Sequence, residues 1–330
     1  MLSEGTRTEI SVRLLEAETN EVVWSESYEV PLAPGAIMSL RRDVSSRIAT
    51  VLGQPYGAIS EDLRARDAAL APESIGSYLC VLRSYNYRRS FSAAAFAPMR
   101  ACLEAAVERD PAYADAWAML GWIYMDDGRF GFSGGEAQSL YRQGEEAAAR
   151  AIELEPDNVL ALKALSSIRH YMGRYEEAEA LARRGAELNP HDPDTLAQLG
   201  WRLAARGNFA EGIPLLQQAI ERSLDPPGWY FHLLAMHRYF QGDYEAMLTT
   251  AQRSARDGSQ YSQALIALAA LRLARPDQAA SAAAKVPSDS VLRQNPGAFF
   301  ARHGTTEAIA QEMVAGLREA FAFGDSTDAD

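Results

Sequence analysis

NVLALKALSSIRHYMGRYEEAEALARRGAELNP, residues 158–190, is the stretch of sequence that decides the fold. Leu162, Leu165 and Ile168 recur at three-residue steps, which predicts one apolar face of a helix. Gly173 then allows a tight turn between two antiparallel helices, because a positive φ costs glycine little. The final proline ends the second helix since it lacks a backbone N–H. The stretch is therefore a helical hairpin, which must stack on neighbours to bury its apolar face.

The same pattern recurs along the chain at spacings of 34 to 35 residues. Glycines at the turn, aromatic residues two positions later and leucines eight positions earlier repeat in register: Gly173, Gly207, Gly242; Tyr175, Phe209, Tyr244; Leu165, Leu199, Leu234. Three sets in one register predict an array of repeats.

The unit before this stretch carries the most complete set of anchor residues. Trp117, Leu120, Gly121 and Tyr124 match the W-x2-L-G-x2-Y start of the tetratricopeptide repeat, so the chain resembles that family. The resemblance implies a mainly α fold, an α-solenoid of about six tetratricopeptide-like helix pairs over residues 74–287. It also implies that a protein or peptide ligand binds in the concave groove.

Several units are expected to deviate from the consensus. The first, residues 75–111, is expected to have a lengthened turn. The second carries extra residues around 126–138, where glycines predict a loop between its two helices. The sixth, residues 260–286, has Pro276 in its turn. Atypical units at both ends are expected of capping repeats.

The apolar pattern of residues 1–57 predicts a small α/β segment, made of a β-hairpin and a helix. Two alternations of apolar and polar residues predict its strands, through Ile10, Val12 and Leu14 and then through Val22, Trp24 and Tyr28, with a turn at 18–21. A helix is predicted over 37–51 and a linker over 58–73. Because an isolated hairpin is marginally stable, the sheet is expected to take further strands, and a homodimer through this segment is possible.

A second resemblance covers both ends of the chain. RLLEAET (13–19) and VWSESY (23–28) resemble the last part of a TolB-like domain, and VAGLREA (314–320) resembles the terminal helix of bacterial signalling proteins that carry such a domain before their repeats. This implies the sensory or regulatory part of a signalling protein or transcription regulator, whose output module is a winged-helix or class III adenylate cyclase domain. The alternative is a scaffold subunit of an envelope or polysaccharide assembly system.

The C-terminal region is predicted to cap the array. Ile309, Met313, Leu317 and Phe321 are spaced four residues apart and share one helix face, which predicts capping helices over 288–323. The acidic tail that follows, 324–330, is expected to fray.

Composition excludes several classes of function. The net charge of −12 over 330 residues repels phosphate backbones, so this region is not expected to bind nucleic acid. No window approaches the roughly 18 apolar residues of a membrane span. The start of the chain has no basic, apolar leader, which predicts a cytoplasmic protein, or a periplasmic one if a membrane segment lies upstream.

The sequence offers no arrangement typical of catalysis, and neither an enzyme nor a cofactor is expected. Ser133 lies in a G-x-S-x-G match, but a helix and not a strand is predicted before it, unlike a nucleophile elbow. The five histidines lack metal-ligand spacing. Cys80 and Cys102 lie symmetrically about residue 91, in the predicted first turn. A disulfide between them is possible, although two apolar core residues are the favoured interpretation.

The partner-binding residues are predicted on the first helices of the pairs, at positions that point away from the second helices. They are Trp122, Met125, Lys163, His170, Trp201, His232, Met236 and Tyr239. Aromatic and methionine side chains at such positions are typical of interface hot spots.

Overall fold

The computed structural model describes residues 7–17, 19–31, 48, 52 and 76–327. Six helix pairs follow one another: α1 (Ser77–Ser90) with α2 (Ala93–Arg109), α3 (Ala114–Phe130) with α4 (Ala137–Leu154), α5 (Val159–Tyr171) with α6 (Tyr175–Leu188), α7 (Pro193–Ala205) with α8 (Phe209–Arg222), α9 (His232–Phe240) with α10 (Tyr244–Ser254), and α11 (Gln260–Arg272) with α12 (Pro276–Ala283). The short helices α13 (Val291–Gln294) and α14 (Pro296–Arg302) and the long α15 (Glu307–Thr327) complete the chain. The predicted α-solenoid is confirmed.

The glycine turns form as the sequence predicts. Gly173, Gly207 and Gly242 adopt φ values of 80°, 89° and 72°, each between the helices of one pair. In the first pair the expected lengthened turn is wrong. Only Phe91 and Ser92 connect α1 to α2, and Phe91 takes the left-handed conformation with φ 51°. The extra length lies in the helices themselves.

The second pair also differs from the expectation of a loop over 126–138. Helix α3 continues to Phe130, so the connecting loop covers only 131–136. Asp126 and Asp127, which stand where the loop was predicted, are fully buried; Asp126 pairs with Arg88 and Arg129 at 2.9 Å, and Asp127 lies 3.5 Å from Arg100. The backbone N–H of Ser133 donates to Asp127 at 2.8 Å, which ties the loop back onto the helix.

Paired glycines bring the helices of two pairs close together. A Cβ placed on Gly121 in α3 would lie 2.8 Å from the carbonyl oxygen of Gly144 in α4. Gly200 in α7 and Gly212 in α8 make the same approach, at 2.7 Å to the carbonyl oxygen of Gly212. No side chain fits at these crossings without moving a helix.

The described part of the N-terminal segment is an antiparallel hairpin. Strands β1 (Arg7–Leu15) and β2 (Val22–Pro31) pair with Ile10 opposite Tyr28, and the register shifts between Leu14 and Leu15. The shift leaves Val22 exposed rather than on the inner face of the alternation. The predicted helix over 37–51, apart from residue 48, and the predicted linker over 58–73, lie outside the described residues.

The terminal helix covers the end of the array. Ile309, Met313, Leu317 and Phe321 of α15 are all buried, as their spacing predicts, and the helix packs against α11, α12 and α14. Helix α15 continues to Thr327, so residues 324–327 are helical where fraying was expected.

The curvature of the array brings its first pair to its fifth. Arg89, near the end of α1, donates to the backbone oxygen of Asp225 at 3.0 Å and forms ion pairs with Asp225 at 2.9 Å and Asp257 at 3.3 Å. Arg89 and Asp225 are 136 residues apart in the sequence, so these contacts join distant parts of the array. The concave face is therefore the wall of a nearly closed ring.

Candidate ligand-binding site on the concave face

The first helices of the pairs surround one cavity of about 610 Å³. Its walls come from the ends of α1 and α3, from α5, α7 and α9, and from the segment that follows α12. Each unit contributes side chains to this wall, because the inner-face positions of the first helix recur once in every repeat.

Residues 287–306, here called the C-terminal segment, lie across the concave face. His170 Nε2 donates to the carbonyl oxygen of His303 at 2.9 Å. Arg302 donates to the carbonyl oxygen of Arg129 at 2.6 Å, and Arg206 donates to that of Gly304 at 2.8 Å. The segment thus contacts α3, α5 and α7, and it closes the side of the groove that the repeats leave open.

Aromatic rings hold the same segment. Phe299 lies 5.2 Å from Tyr261 between ring centroids, and His303 lies 5.9 Å from Tyr171 and 6.3 Å from Trp201. Centroid separations of 4.5–7 Å are typical of attractive aromatic pairs. Both apolar contacts and hydrogen bonds therefore hold the C-terminal segment on the concave face.

Two arginines of the cavity share one carboxylate. Arg88 and Arg129 each lie 2.9 Å from an oxygen of Asp126. The Arg88 guanidinium also lies 3.8 Å from the ring centroid of Trp122, a cation–π contact. Burial raises the pKa of Asp126, while the charges of Arg88 and Arg129 oppose that rise.

Two further arginines have only neutral hydrogen-bond partners. Arg202, only 5% exposed, donates to Gln198 at its backbone and side-chain oxygens and to the hydroxyl of Ser167. Within the described residues no carboxylate lies within 4.0 Å of the guanidinium of Arg202 or Arg302. Burial lowers the pKa of Arg202 to about 10.

The cavity histidines are held in the neutral form. Burial lowers the pKa of His170 to about 3, and the charge of Arg202 acts in the same direction. Burial also lowers the pKa of His232 to about 3 and that of His303 well below its ordinary value. Since His303 accepts from Arg129 through Nε2 at 3.4 Å, its Nδ1 donates to the carbonyl oxygen of Phe299 at 2.7 Å.

The structure brings five of the eight predicted partner-binding residues together. Met125, His170, Trp201, His232 and Met236 line the cavity. Trp201 and His232 remain partly exposed, whereas the other three are buried. Their role in binding a partner stays a prediction.

The other three predicted residues lie outside the cavity wall. Trp122 is buried behind Arg88. Lys163 is buried between Asp192 at 3.0 Å and Asp194 at 2.8 Å, which link the third and fourth pairs. Tyr239 is buried and donates to Glu312 of α15 at 3.2 Å. These positions serve contacts between neighbouring units or with the cap.

Sequence reasoning missed the arginines of the cavity and the C-terminal segment. Arg88, Arg129, Arg202 and Arg302 occupy no shared repeat position, so no periodic signal marks them. The segment reaches the groove through contacts such as His170 with His303, 133 residues apart. No local pattern encodes such a contact.

The two cysteines are joined in a disulfide between α1 and α2. The favoured interpretation, two unbonded apolar core residues, is therefore wrong, although both residues are buried. The equal distances of Cys80 and Cys102 from Phe91 explain the pairing, since the chain reverses at Phe91 and brings them to the same level.

The structure places Ser133 in the exposed loop between α3 and α4, with a helix on either side. Across the described residues, no group of three or more histidine, cysteine, aspartate or glutamate side chains is placed to hold a metal ion. The helices in that part of the chain are each too short or too polar to cross a membrane.

Comparison with known proteins identifies the repeats. A tetratricopeptide-repeat family model matches residues 100–131 and 136–193. The chain is 37% identical over 91 residues to a TPR repeat-containing protein of Pseudomonas aeruginosa, a match that covers 27% of this chain. It spans only 15% of the length of that relative.

Solved structures are similar to this chain. A chain of the APC/C hetero-tetramer Cut9–Hcn1 has a TM-score of 0.51 at 16% identity, over 79% of this chain and 45% of that one. PilF of Pseudomonas aeruginosa has a TM-score of 0.46 at 18% identity, over 72% of this chain and 96% of that one. The chain thus carries tetratricopeptide repeats arranged as a solenoid, a fold suited to protein–protein interaction.

Proposed function

We propose that the concave face of this solenoid is a receptor for a segment of polypeptide. The observation that carries the proposal is the C-terminal segment, which lies in the groove and makes the kinds of contact a peptide ligand would make. Its main-chain oxygen at His303 accepts from His170 of α5, and that at Gly304 accepts from Arg206, the residue after α7. Phe299 and Phe300 supply the apolar contacts.

The composition of the groove supports the same role. Trp201 is partly exposed, and its ring lies 5.7 Å from that of His170. Tryptophan, tyrosine and arginine are the residues that most often carry binding energy at protein interfaces. Trp201, Tyr261 and Arg202 all line this groove. A partner segment with an aromatic pair and a basic residue two positions later, as in the sequence FFARH of 299–303, would match it.

We place this receptor in the sensory or regulatory part of a bacterial signalling protein or transcription regulator. The support is the resemblance of residues 13–28 and 314–320 to signalling proteins that join a TolB-like domain to tetratricopeptide repeats. The observed hairpin of β1 and β2 is consistent with the strand pattern on which that resemblance rests. In such a protein, binding in the groove would change the assembly or activity of an output domain.

The test removes the C-terminal segment from the groove and then adds the same sequence as a separate peptide. Residues 291–303 are replaced by a glycine–serine stretch of equal length, so that α12 and α15 stay connected. A fluorescein-labelled peptide VLRQNPGAFFARH is then titrated by fluorescence anisotropy. We expect binding to the vacated chain and at least tenfold weaker binding to the wild type, because a tethered segment competes at an effective concentration of about millimolar.

The matched controls separate the groove from the rest of the surface. Trp201→Ala in the vacated chain should weaken binding at least about tenfold, since truncation of a hot-spot residue costs about 2 kcal/mol or more. Arg150→Ala, an exposed change on α4, should leave it unchanged. If the vacated chain keeps its helical circular dichroism but does not bind the peptide, the proposal is wrong. A captured partner from an envelope or polysaccharide assembly system would instead favour the scaffold alternative.

A further inference from the structure

The cavity beneath the C-terminal segment holds an excess of positive charge. Arg88, Arg129, Arg202 and Arg302 line it, and among the described residues Asp126 is the one carboxylate within 4.0 Å of any of these four guanidinium groups. The chain as a whole carries a net charge of −12, so this cluster contrasts with the rest of the molecule. Buried charges without a counter-charge are costly, and a bound anion would offset that cost.

The acidic residues on the cavity wall do not supply this counter-charge. Asp257 is engaged by Arg89 at 3.3 Å and by the backbone N–H of Gly228 at 2.6 Å. Asp289 lies on an exposed turn, farther than 4.0 Å from every guanidinium of the described residues.

Several N–H groups of the cluster are also unused. The Nε atoms of Arg129, Arg202 and Arg302 are buried and have no hydrogen-bond partner within the described residues. An unsatisfied buried donor is rare in a folded protein, and each one adds to the cost of burying the cluster. All three belong to residues that line the same cavity.

The size and the walls of the cavity limit what the partner can be. A volume of about 610 Å³ falls within the range of small-molecule sites. Aromatic side chains contribute much of the wall, among them Phe130, Trp201, Tyr261 and Phe299. Flat apolar rings of the ligand would lie against these side chains, and its charged end would face the arginines.

We propose that this cavity binds a small planar anion, a ring system that bears a phosphate or carboxylate group, with Arg202 and Arg302 as the residues that contact the charged group. The site does not depend on the proposed peptide receptor, since it lies within a single chain that already holds its C-terminal segment. Binding can therefore be measured without any protein partner.

The experiment uses the wild-type chain and pairs of probes that differ in charge. Isothermal titration calorimetry and thermal unfolding are run with AMP, adenosine, phthalate and inorganic phosphate, each up to 5 mM. We expect AMP, phthalate or both to bind and to raise the melting temperature by at least about 3 °C, with the responding probe assigning phosphate or carboxylate as the charged group. Adenosine and inorganic phosphate, which lack the charge or the ring, should bind at least tenfold more weakly.

Variants test the role assigned to Arg202. Arg202→Met should weaken anion binding at least tenfold without lowering the melting temperature of the unliganded chain by more than about 2 °C, because a charge without a counter-charge is removed. A purely structural arginine would instead give a large loss of melting temperature. Arg142→Met, exposed on α4, is the matched control and should bind as the wild type does.

Three results would overturn the proposal. One is that neither AMP nor phthalate binds, the second is that adenosine binds as well as AMP, and the third is that Arg202→Met keeps wild-type affinity. The first two comparisons use the wild type alone, so they decide the matter even if Arg202→Met does not fold.

Discussion

Replacement of Gly121 by alanine tests the close helix crossing of the second pair. The added Cβ would lie 2.8 Å from the carbonyl oxygen of Gly144, 3.1 Å from the backbone nitrogen of Ala148 and 3.2 Å from its Cβ. Two of these neighbours are backbone atoms, which cannot rotate away. Helices α3 and α4 must therefore move apart by several tenths of an ångström, and this shift also disturbs the neighbouring pairs.

The size of the effect follows from two opposing terms. Overpacking of a core costs about 1–3 kcal/mol, while alanine in a helix gains about 0.5–1 kcal/mol over glycine. We expect Gly121→Ala to lower the free energy of unfolding by about 1–2 kcal/mol. Gly185→Ala in α6 is the matched control, because its Cβ would meet Thr195 at an ordinary 3.6 Å. That variant should gain about 0.5–1 kcal/mol from helix propensity alone.

Thermal and urea unfolding followed by circular dichroism at 222 nm provide the assay. A change of 1 kcal/mol shifts the melting temperature by about 1–2 °C in a chain of 330 residues, so the two variants should differ by roughly 2–6 °C. If Gly121→Ala is as stable as Gly185→Ala, the two helices can separate without cost and the reasoning about their approach is wrong.

Three further predictions concern buried groups. Lowering the pH from 7 to 5 should lower the free energy of unfolding, because the unfolded chain protonates its histidines below about 6.5 while native His170, with a pKa of about 3, stays neutral. In urea titrations the free energy of unfolding of His170→Gln should fall by about 2 kcal/mol less than that of the wild type over this range. Lys163→Met should cost about 3–5 kcal/mol in the same assay, since it leaves the buried Asp194 and the largely buried Asp192 without their cation. The exposed change Arg150→Met should cost little. The Cys80–Cys102 disulfide closes a loop of 22 residues, so its reduction should lower the free energy of unfolding by about 3 kcal/mol. Amide hydrogen exchange should then increase mainly in α1 and α2, and unchanged exchange in these helices would contradict the prediction.

The repeat architecture could be predicted from sequence because its determinants are local and periodic. Gly173, Gly207 and Gly242 mark turns whose geometry only a few residue types accept, and all three form as expected. Where the expectation was wrong, a non-local partner decided the outcome. Helix α3 continues through Asp126 because Arg88, from the preceding pair, neutralises its buried carboxylate. The period of the repeat carries no information about such a partner.

In the candidate site, too, the periodic positions could be predicted from the sequence and the non-local contacts could not. Counting from the repeat anchors predicts Met125, Trp201 and Met236 on the inner face, and all three line the cavity. Lys163 satisfies the same count but lies between aspartates of the next unit, since position within a helix does not specify what the neighbouring helix presents. The sequence predicts that the C-terminal segment caps the end of the array, whereas its docking along the groove depends on contacts that only the folded chain assembles.

The ion pairs of Arg89 with Asp225 and Asp257 have a consequence for how such a chain can evolve. In a repeat array whose units touch only their neighbours, one unit can be gained or lost without disturbing distant ones. Here an inserted or deleted unit would carry Arg89 about one helix pair away from both aspartates and would change the diameter of the cavity. The number of units is thus tied to the dimensions of the chamber they enclose, and variation should accumulate on the outer helices instead.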